Sequence, residues 1–147
     1  MTMKDTKFRI WDIDAQTMHE VGILLIGHGA TGYSYPAPGE EATVGTADTN
    51  RVLMQFTGLK DKNGKEIYEG DLVKCGEFED DSDAKTYEVI YNEDGTYPAF
   101  DLKGWRGETN GICLFLNDGY LEVIGNIYES PELLKAPAAT EQPSQAS

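Results

Sequence analysis

The chain has 147 residues, of which 39% are hydrophobic, and its formal net charge is −14. That length can bury the core of one domain, whereas the acidic excess argues against direct nucleic-acid binding, because such a surface repels a phosphate backbone. The N-terminal residues are charged and no apolar run is long enough to cross a membrane, so we expect a cytoplasmic protein with no membrane partner.

Short runs rich in β-branched and aromatic residues recur along the chain and predict strands. In chain order they cover 8–10, 21–25, 51–56, 72–74, 86–91, 112–116 and 120–124. Residue pairs that favour a positive φ separate several of them, and Asp118-Gly119 predicts a hairpin that joins the last two runs. This pattern predicts an all-β fold, namely a small barrel-like domain of short antiparallel strands.

Helical signals are confined to the C-terminal end of this domain. Ser130 is a candidate N-cap, Pro131 suits the first helical position, and Pro137 limits the helix to a short one. Residues 136–147 contain nothing to bury and are expected to form a disordered tail. We therefore predict a single domain over 1–135 followed by this tail.

Three glycines, Gly27, Gly29 and Gly32, have the spacing of a dinucleotide-binding loop and follow an apolar run. Such a loop must open a helix whose N-terminus faces the pyrophosphate. Two prolines follow closely and forbid a helix there. We therefore expect no cofactor, and we interpret 27–50 as a long, mobile loop between two strands.

Neither the acidic residues nor the cysteines predict a metal site. The acidic run at 77–83 does not have the spacing of a calcium loop, so we interpret it as a solvated loop. Cys75 and Cys113 are too few for a disulfide framework and lack metal-ligand spacing. Because Cys113 lies in an apolar run, we expect its thiol to be buried.

The segment 54–74, MQFTGLKDKNGKEIYEGDLVK, predicts two chain reversals. Asn63-Gly64 favours the first, and turn capping accounts for Asp61 beside it. Gly70 permits a positive φ at the second, where the carboxylate of Asp71 can accept backbone N–H bonds.

This segment, together with KFRIWD at 7–12 and EVIGNIYESPELL at 122–134, closely resembles the YopX family of phage and prophage proteins. The resemblance implies a small, β-rich, barrel-like protein encoded by a bacteriophage or prophage and located in the cytoplasm of the bacterial host. It carries over no catalytic residue. The segments 27–50 and 77–83 depart from the shared pattern.

Five polar residues of these blocks form the candidate interaction surface: Tyr68, Glu69, Asp71, Asn126 and Glu129. Packing explains Tyr68 and Glu69 least well, so they are the first choices for contact. We expect a non-enzymatic interaction module that binds a host or phage protein and forms a homo-oligomer through exposed strand edges. In a variant of this hypothesis, the acidic surface imitates nucleic acid and occupies a basic site.

Two other functions stay open. A small ligand could bind in the mouth of a barrel lined by Tyr68, Tyr87, Tyr91 or Trp105. A metal-dependent hydrolase would need three or more carboxylates, from 77–83 or 69–71, to converge in a cleft.

Overall fold

The computed structural model describes residues 6–27, 30–35, 43–46, 50–76, 85–92 and 99–134. They divide into two compact units, Met1–Phe56 and Thr57–Ser147. Strands predominate in both units, which confirms the predicted all-β class. None of the helices within the described ranges is long and apolar enough to cross a membrane. The single domain over 1–135 stays a prediction, and the acidic run and the C-terminal tail lie outside the described residues.

The first unit is built on a β-hairpin. It contains β1 (Phe8–Asp12), β2 (Thr17–Glu20), β3 (Ile23–Gly27), β4 (Ala30–Tyr35), β5 (Thr43–Thr46) and the start of β6 (Arg51–Lys60). β1 pairs antiparallel with β2 on one side and with β6 on the other. In the turn after β1, the carboxylate of Asp12 accepts the N–H of Ala15 at 3.0 Å and lies 3.5 Å from Nε of Arg51.

The three strands β3, β4 and β5 form a separate antiparallel sheet with β4 in the middle. The expectation of a loop over 27–50 is therefore wrong at 30–35 and 43–46, where the chain forms strands. Gly27 lies opposite Ala30 and Gly32 opposite Leu25, so these two glycines of the motif belong to paired antiparallel strands and not to a strand-helix junction. His28 and Gly29 lie outside the described residues.

The second unit is built on a four-stranded sheet. It contains the end of β6, β7 (Glu66–Tyr68), β8 (Asp71–Cys75), β9 (Lys85–Asn92), β10 (Ala99–Leu102), α1 (Gly111–Asp118) and β11 (Leu121–Asn126). The strand order is β10-β9-β8-β11, and the pairs are antiparallel. Its buried core consists of Ile67, Val73, Cys75, Val89, Leu102, Ile112, Leu121 and Val123.

The strand predicted at 112–116 and the hairpin predicted to join it to 120–124 are wrong, because residues 111–118 form the helix α1. Oδ1 of Asn110 accepts the N–H of Cys113 at 3.0 Å and caps the helix, and Gly119 ends it at φ 77°. A short apolar run cannot distinguish strand from helix by its periodicity. The Asp118-Gly119 pair was equally ambiguous, because a hairpin turn and a helix C-cap both favour glycine at positive φ.

The predicted helical turn at the C-terminal end packs directly on β11. Residues 132–134 are helical, and the N–H of Leu133 donates to the carbonyl of Ser130 at 3.1 Å. A Cβ on Gly125 would lie 3.0 Å from Cδ1 of Leu133 and 3.1 Å from Cβ of Ser130. Glycine at this position therefore permits the close approach of the turn to the strand.

The two thiols have opposite environments. Cys113 is exposed on α1, so the expectation that it is buried is wrong: the apolar run forms a helix in which Ile112 is buried and Cys113 is not. Cys75 is 1% exposed, and burial raises the pKa of its thiol to about 12.

We expect one fast-reacting thiol in the native protein. A thiolate-specific reagent such as DTNB at pH 8 should modify Cys113 at once and Cys75 only after denaturation, because a buried thiol with a raised pKa forms almost no thiolate. A Cys113→Ser variant should show no fast phase. Fast native-state reaction of that variant would contradict the burial of Cys75.

Candidate functional site

The chain turns sharply between β7 and β8, as the sequence predicts. Gly70 has φ 84°, and its N–H donates to the carbonyl of Val89 at 2.8 Å. Oδ2 of Asp71 accepts the N–H of Tyr68 at 2.8 Å. The Asp71 side chain is 2% exposed, so this carboxylate holds the turn from inside the protein.

The end of β11 meets this turn. Asn126 lies opposite Asp71 in the β11–β8 pairing, and the N–H of Ile127 donates to the carbonyl of Gly70 at 2.9 Å. Oδ1 of Asn126 accepts the N–H of Glu129 at 2.8 Å, and its Nδ2 donates to Oε1 of the same residue at 2.7 Å. The two signature segments, far apart in sequence, therefore adjoin in the fold.

We call the five polar residues gathered here the corner site: Tyr68, Glu69, Asp71, Asn126 and Glu129. Three of them are buried: Tyr68 and Asn126 are each 7% exposed, and Asp71 is 2% exposed. Glu69 is half-buried and Glu129 is exposed. The side chains of Asp71 and Asn126 bond to the backbone and Tyr68 is buried, so the two glutamates are the more accessible members of the corner site. Contact through the corner site stays a prediction.

Asp61 has a similar role at the β6–β7 hairpin. Its Oδ1 accepts the N–H groups of Asn63 at 2.8 Å and Lys65 at 2.9 Å, and its Oδ2 accepts that of Val123 at 2.9 Å. Burial by itself would raise the pKa of this carboxyl. The three backbone N–H groups and the charge of Lys65 outweigh burial and together lower the pKa below 3.8.

Side chains and a turn also bond to individual backbone groups at both edges of the four-stranded sheet. At the β11 edge, the N–H of Lys62 donates to the carbonyl of Leu121 at 3.1 Å, next to the bond between Asp61 and Val123. At the β10 edge, Nδ2 of Asn110 donates to the carbonyl of Phe100 at 2.8 Å. Each of these contacts satisfies one backbone group at a sheet edge, and a homo-oligomer formed through strand edges stays a prediction.

The hydrolase hypothesis finds no support in the second unit's turn residues. Asp71 is buried and bonded to the backbone, and Glu69 lies beside it. Among the residues that the structure describes, no three His, Cys, Asp or Glu side chains are grouped so that they could hold a metal ion. The carboxylates of 77–83 lie outside the described residues.

The four aromatic residues considered for a ligand site have different surroundings in the described part of the chain. Tyr68 is buried in the corner site, and Tyr91 packs edge-on against Phe100 with ring centroids 5.3 Å apart. Tyr87 packs edge-on against Trp105 at 6.1 Å. Of the four, Trp105 alone lines the cleft described next.

A cleft of about 410 Å³ lies at one end of β9 and β10, and sequence reasoning missed it. Its lining residues are Ile90, Asn92, Asp101, Leu102, Gly104, Trp105 and Arg106. The cleft depends on β10, which was not predicted. The alternation of Phe100 and Leu102 before Gly104 could have indicated that short strand.

Comparisons with known proteins agree with this architecture. A family model described as "YopX protein" matches residues 7–135. The chain is similar to the crystal structure of protein EF1440 from Enterococcus faecalis, with a TM-score of 0.61 and 29% sequence identity over 90% of this chain and 99% of that one. No curated protein matches the chain.

We expect Asp61→Asn to destabilise the protein by about 2–3 kcal/mol at pH 7, because an amide offers one acceptor oxygen where the carboxylate uses two. Urea denaturation measures this loss. The matched variant Asp118→Asn, at an exposed position, should change stability by less than about 0.5 kcal/mol.

The effect of Asp61→Asn should also depend on pH. Because folding lowers the pKa of Asp61, its stabilisation is complete above the unfolded value near 3.8 and is lost as the pH falls through the folded value. The stability gap between wild type and Asp61→Asn should therefore be constant above about pH 5 and narrow below 3.8. A gap that widens on acidification would contradict this assignment.

Proposed function

This chain belongs to the YopX family, and on that premise we propose that it is a protein-interaction module without enzymatic activity. Its proposed setting is the cytoplasm of a bacterium, where it is encoded by a phage or prophage. Its proposed partner is a protein of the host or of the phage.

The observation that carries this proposal is the construction of the corner site. Asp71 accepts a backbone N–H in the turn that contains Glu69, and Asn126 accepts backbone N–H groups in the turn that contains Glu129. These bonds fix the two turns, which adjoin in the fold. A surface that is already ordered loses little conformational entropy when it binds. Two carboxylates on such a surface favour a partner that presents Arg or Lys.

The distribution of charge separates this proposal from the nucleic-acid-mimic variant. The described residues hold 14 of the 26 acidic side chains but 10 of the 12 basic ones. Most of the acidic excess therefore belongs to undescribed segments, including 77–83. A partner held by those segments would be released by salt, because screening weakens attraction between exposed charges, and it would not require Glu69 or Glu129.

The experiment is an affinity capture with the full chain from a lysate of the bacterium that carries its gene, at low and at moderate salt. The test variant is Glu69→Gln/Glu129→Gln, because the side-chain oxygen of glutamine at 129 can still accept a hydrogen bond from Nδ2 of Asn126. The matched control is Glu20→Gln/Glu108→Gln, which removes two exposed charges elsewhere. Tyr68→Ala would not serve, since that ring is buried.

We expect wild type and control to retain the same protein, and the Glu69→Gln/Glu129→Gln variant to retain about ten-fold less of it. The purified partner should show the same ratio by calorimetry. Equal retention by both double variants would reject the corner site. Release by salt together with equal retention at low salt would assign binding to the acidic segments instead.

A further inference from the structure

The cleft beside β10 is lined by both polar and apolar side chains. Ile90, Leu102 and Trp105 supply the apolar part, to which Leu102, at 3% exposed, adds little surface. Its volume of about 410 Å³ lies within the range of small-molecule sites. A Cβ on Gly104 would meet no atom within 4 Å, so this wall of the cleft is open.

The indole of Trp105 is held in place before any ligand arrives. Its Nε1 donates to the carbonyl of Thr109 at 2.8 Å, and its ring packs edge-on against Phe115 at 5.3 Å. A Cβ on Gly107 would lie 2.3 Å from Cζ2 of the indole, so the backbone at Gly107 packs directly against the ring. Such a fixed aromatic surface costs little to present to a planar ligand.

Arg106 supplies the accessible charge of the cleft. It is exposed and makes no ion pair with any described residue. The neighbouring Lys103 instead has its Nζ 3.8 Å from Oε1 of Glu88. The carboxylate of Asp101 is 4% exposed, and its Oδ1 accepts the N–H groups of Leu102 and Gly111 at 2.8 Å each. A ligand therefore meets a cation at the surface and a buried anion already bonded to the backbone.

We propose that this cleft binds a small planar molecule that carries one anionic group. The ring lies against Trp105 and the aliphatic side chains, and the anionic group pairs with the guanidinium of Arg106. A carboxylate and a phosphate share this chemistry, because both accept two parallel N–H bonds from arginine. This inference does not depend on the corner site.

The test is an NMR titration of the full-length ¹⁵N-labelled protein with four probes. Benzoate and phenyl phosphate combine a ring with an anion, benzyl alcohol keeps the ring alone, and inorganic phosphate keeps the anion alone. The readout is the Nε1–H resonance of Trp105 together with the amides of 101–106. We expect saturable shifts with one or both of the first two probes, and binding about ten-fold weaker for the last two.

Three variants locate the anion. Arg106→Gln should weaken binding of the anionic ring probe about ten-fold, and Arg106→Lys should keep part of the affinity. The matched control Lys103→Gln removes a neighbouring charge that does not line the cleft and should bind as wild type does. The same spectra show whether each variant is folded.

The two anionic probes also distinguish the source of the ligand, since tighter binding of phenyl phosphate indicates a nucleotide-like phosphate and tighter binding of benzoate an aromatic acid. The proposal is overturned if no probe shifts the Trp105 resonance saturably, if benzyl alcohol binds as well as benzoate, or if Arg106→Gln and Lys103→Gln behave alike.

Discussion

The carboxylate of Asp61 joins the β6–β7 hairpin to the edge strand of the four-stranded sheet. One oxygen holds the hairpin turn through Asn63 and Lys65, and the other accepts the N–H of Val123 on β11. A buried carboxylate without these donors would be costly, and the edge N–H would lack a partner. The turn and the edge strand therefore stabilise each other. Since β7 leads directly into the turn at Gly70, we expect the position of the corner site to depend on the bond between Asp61 and Val123 as well.

Buried and partly buried polar side chains also bond to the backbone elsewhere in the second unit. Asp71 fixes one turn, Asn126 fixes another, and Asn110 caps α1 while it covers the β10 edge. In each case a short side chain accepts N–H groups that the strands and the helix leave unsatisfied. These polar residues of the family signature therefore have structural roles, and Glu69 and Glu129 remain the residues that we propose for contact with a partner.

Local chemistry made the turns predictable from the sequence. Gly70 and Asp71 have the expected conformation and bonding because a positive φ and a capping carboxylate depend on few neighbours. Pairing between distant segments was less accessible. The strands at 30–35 and 43–46 were missed because the prolines that follow Tyr35 favoured a loop over the whole of 27–50, and neither segment alone shows that β4 pairs with β5. The apolar run at 112–116 is compatible with a helix or a strand. In the structure it is a helix that packs Ile112 into the core.

The functional surfaces were the least predictable part. The burial of Tyr68 depends on the fold around β7, so its sequence context could not show that the side chain is inaccessible. The cleft at Trp105 requires β10 to pair with β9 and α1 to follow, and no single segment encodes both. Tyr68 and Glu69 were the first choices for contact because packing explained them least well, but the structure buries Tyr68 and leaves Glu69 half-buried.

The measurement that tests this architecture most directly is amide hydrogen exchange at Val123. This amide lies on the edge strand, so without a partner it would exchange as fast as an exposed edge group. If the carboxylate of Asp61 holds it, its protection at pH 7 should equal that of amides in the inner strand β8. Exchange within the dead time of the experiment, while β8 stays protected, would contradict the role assigned to Asp61.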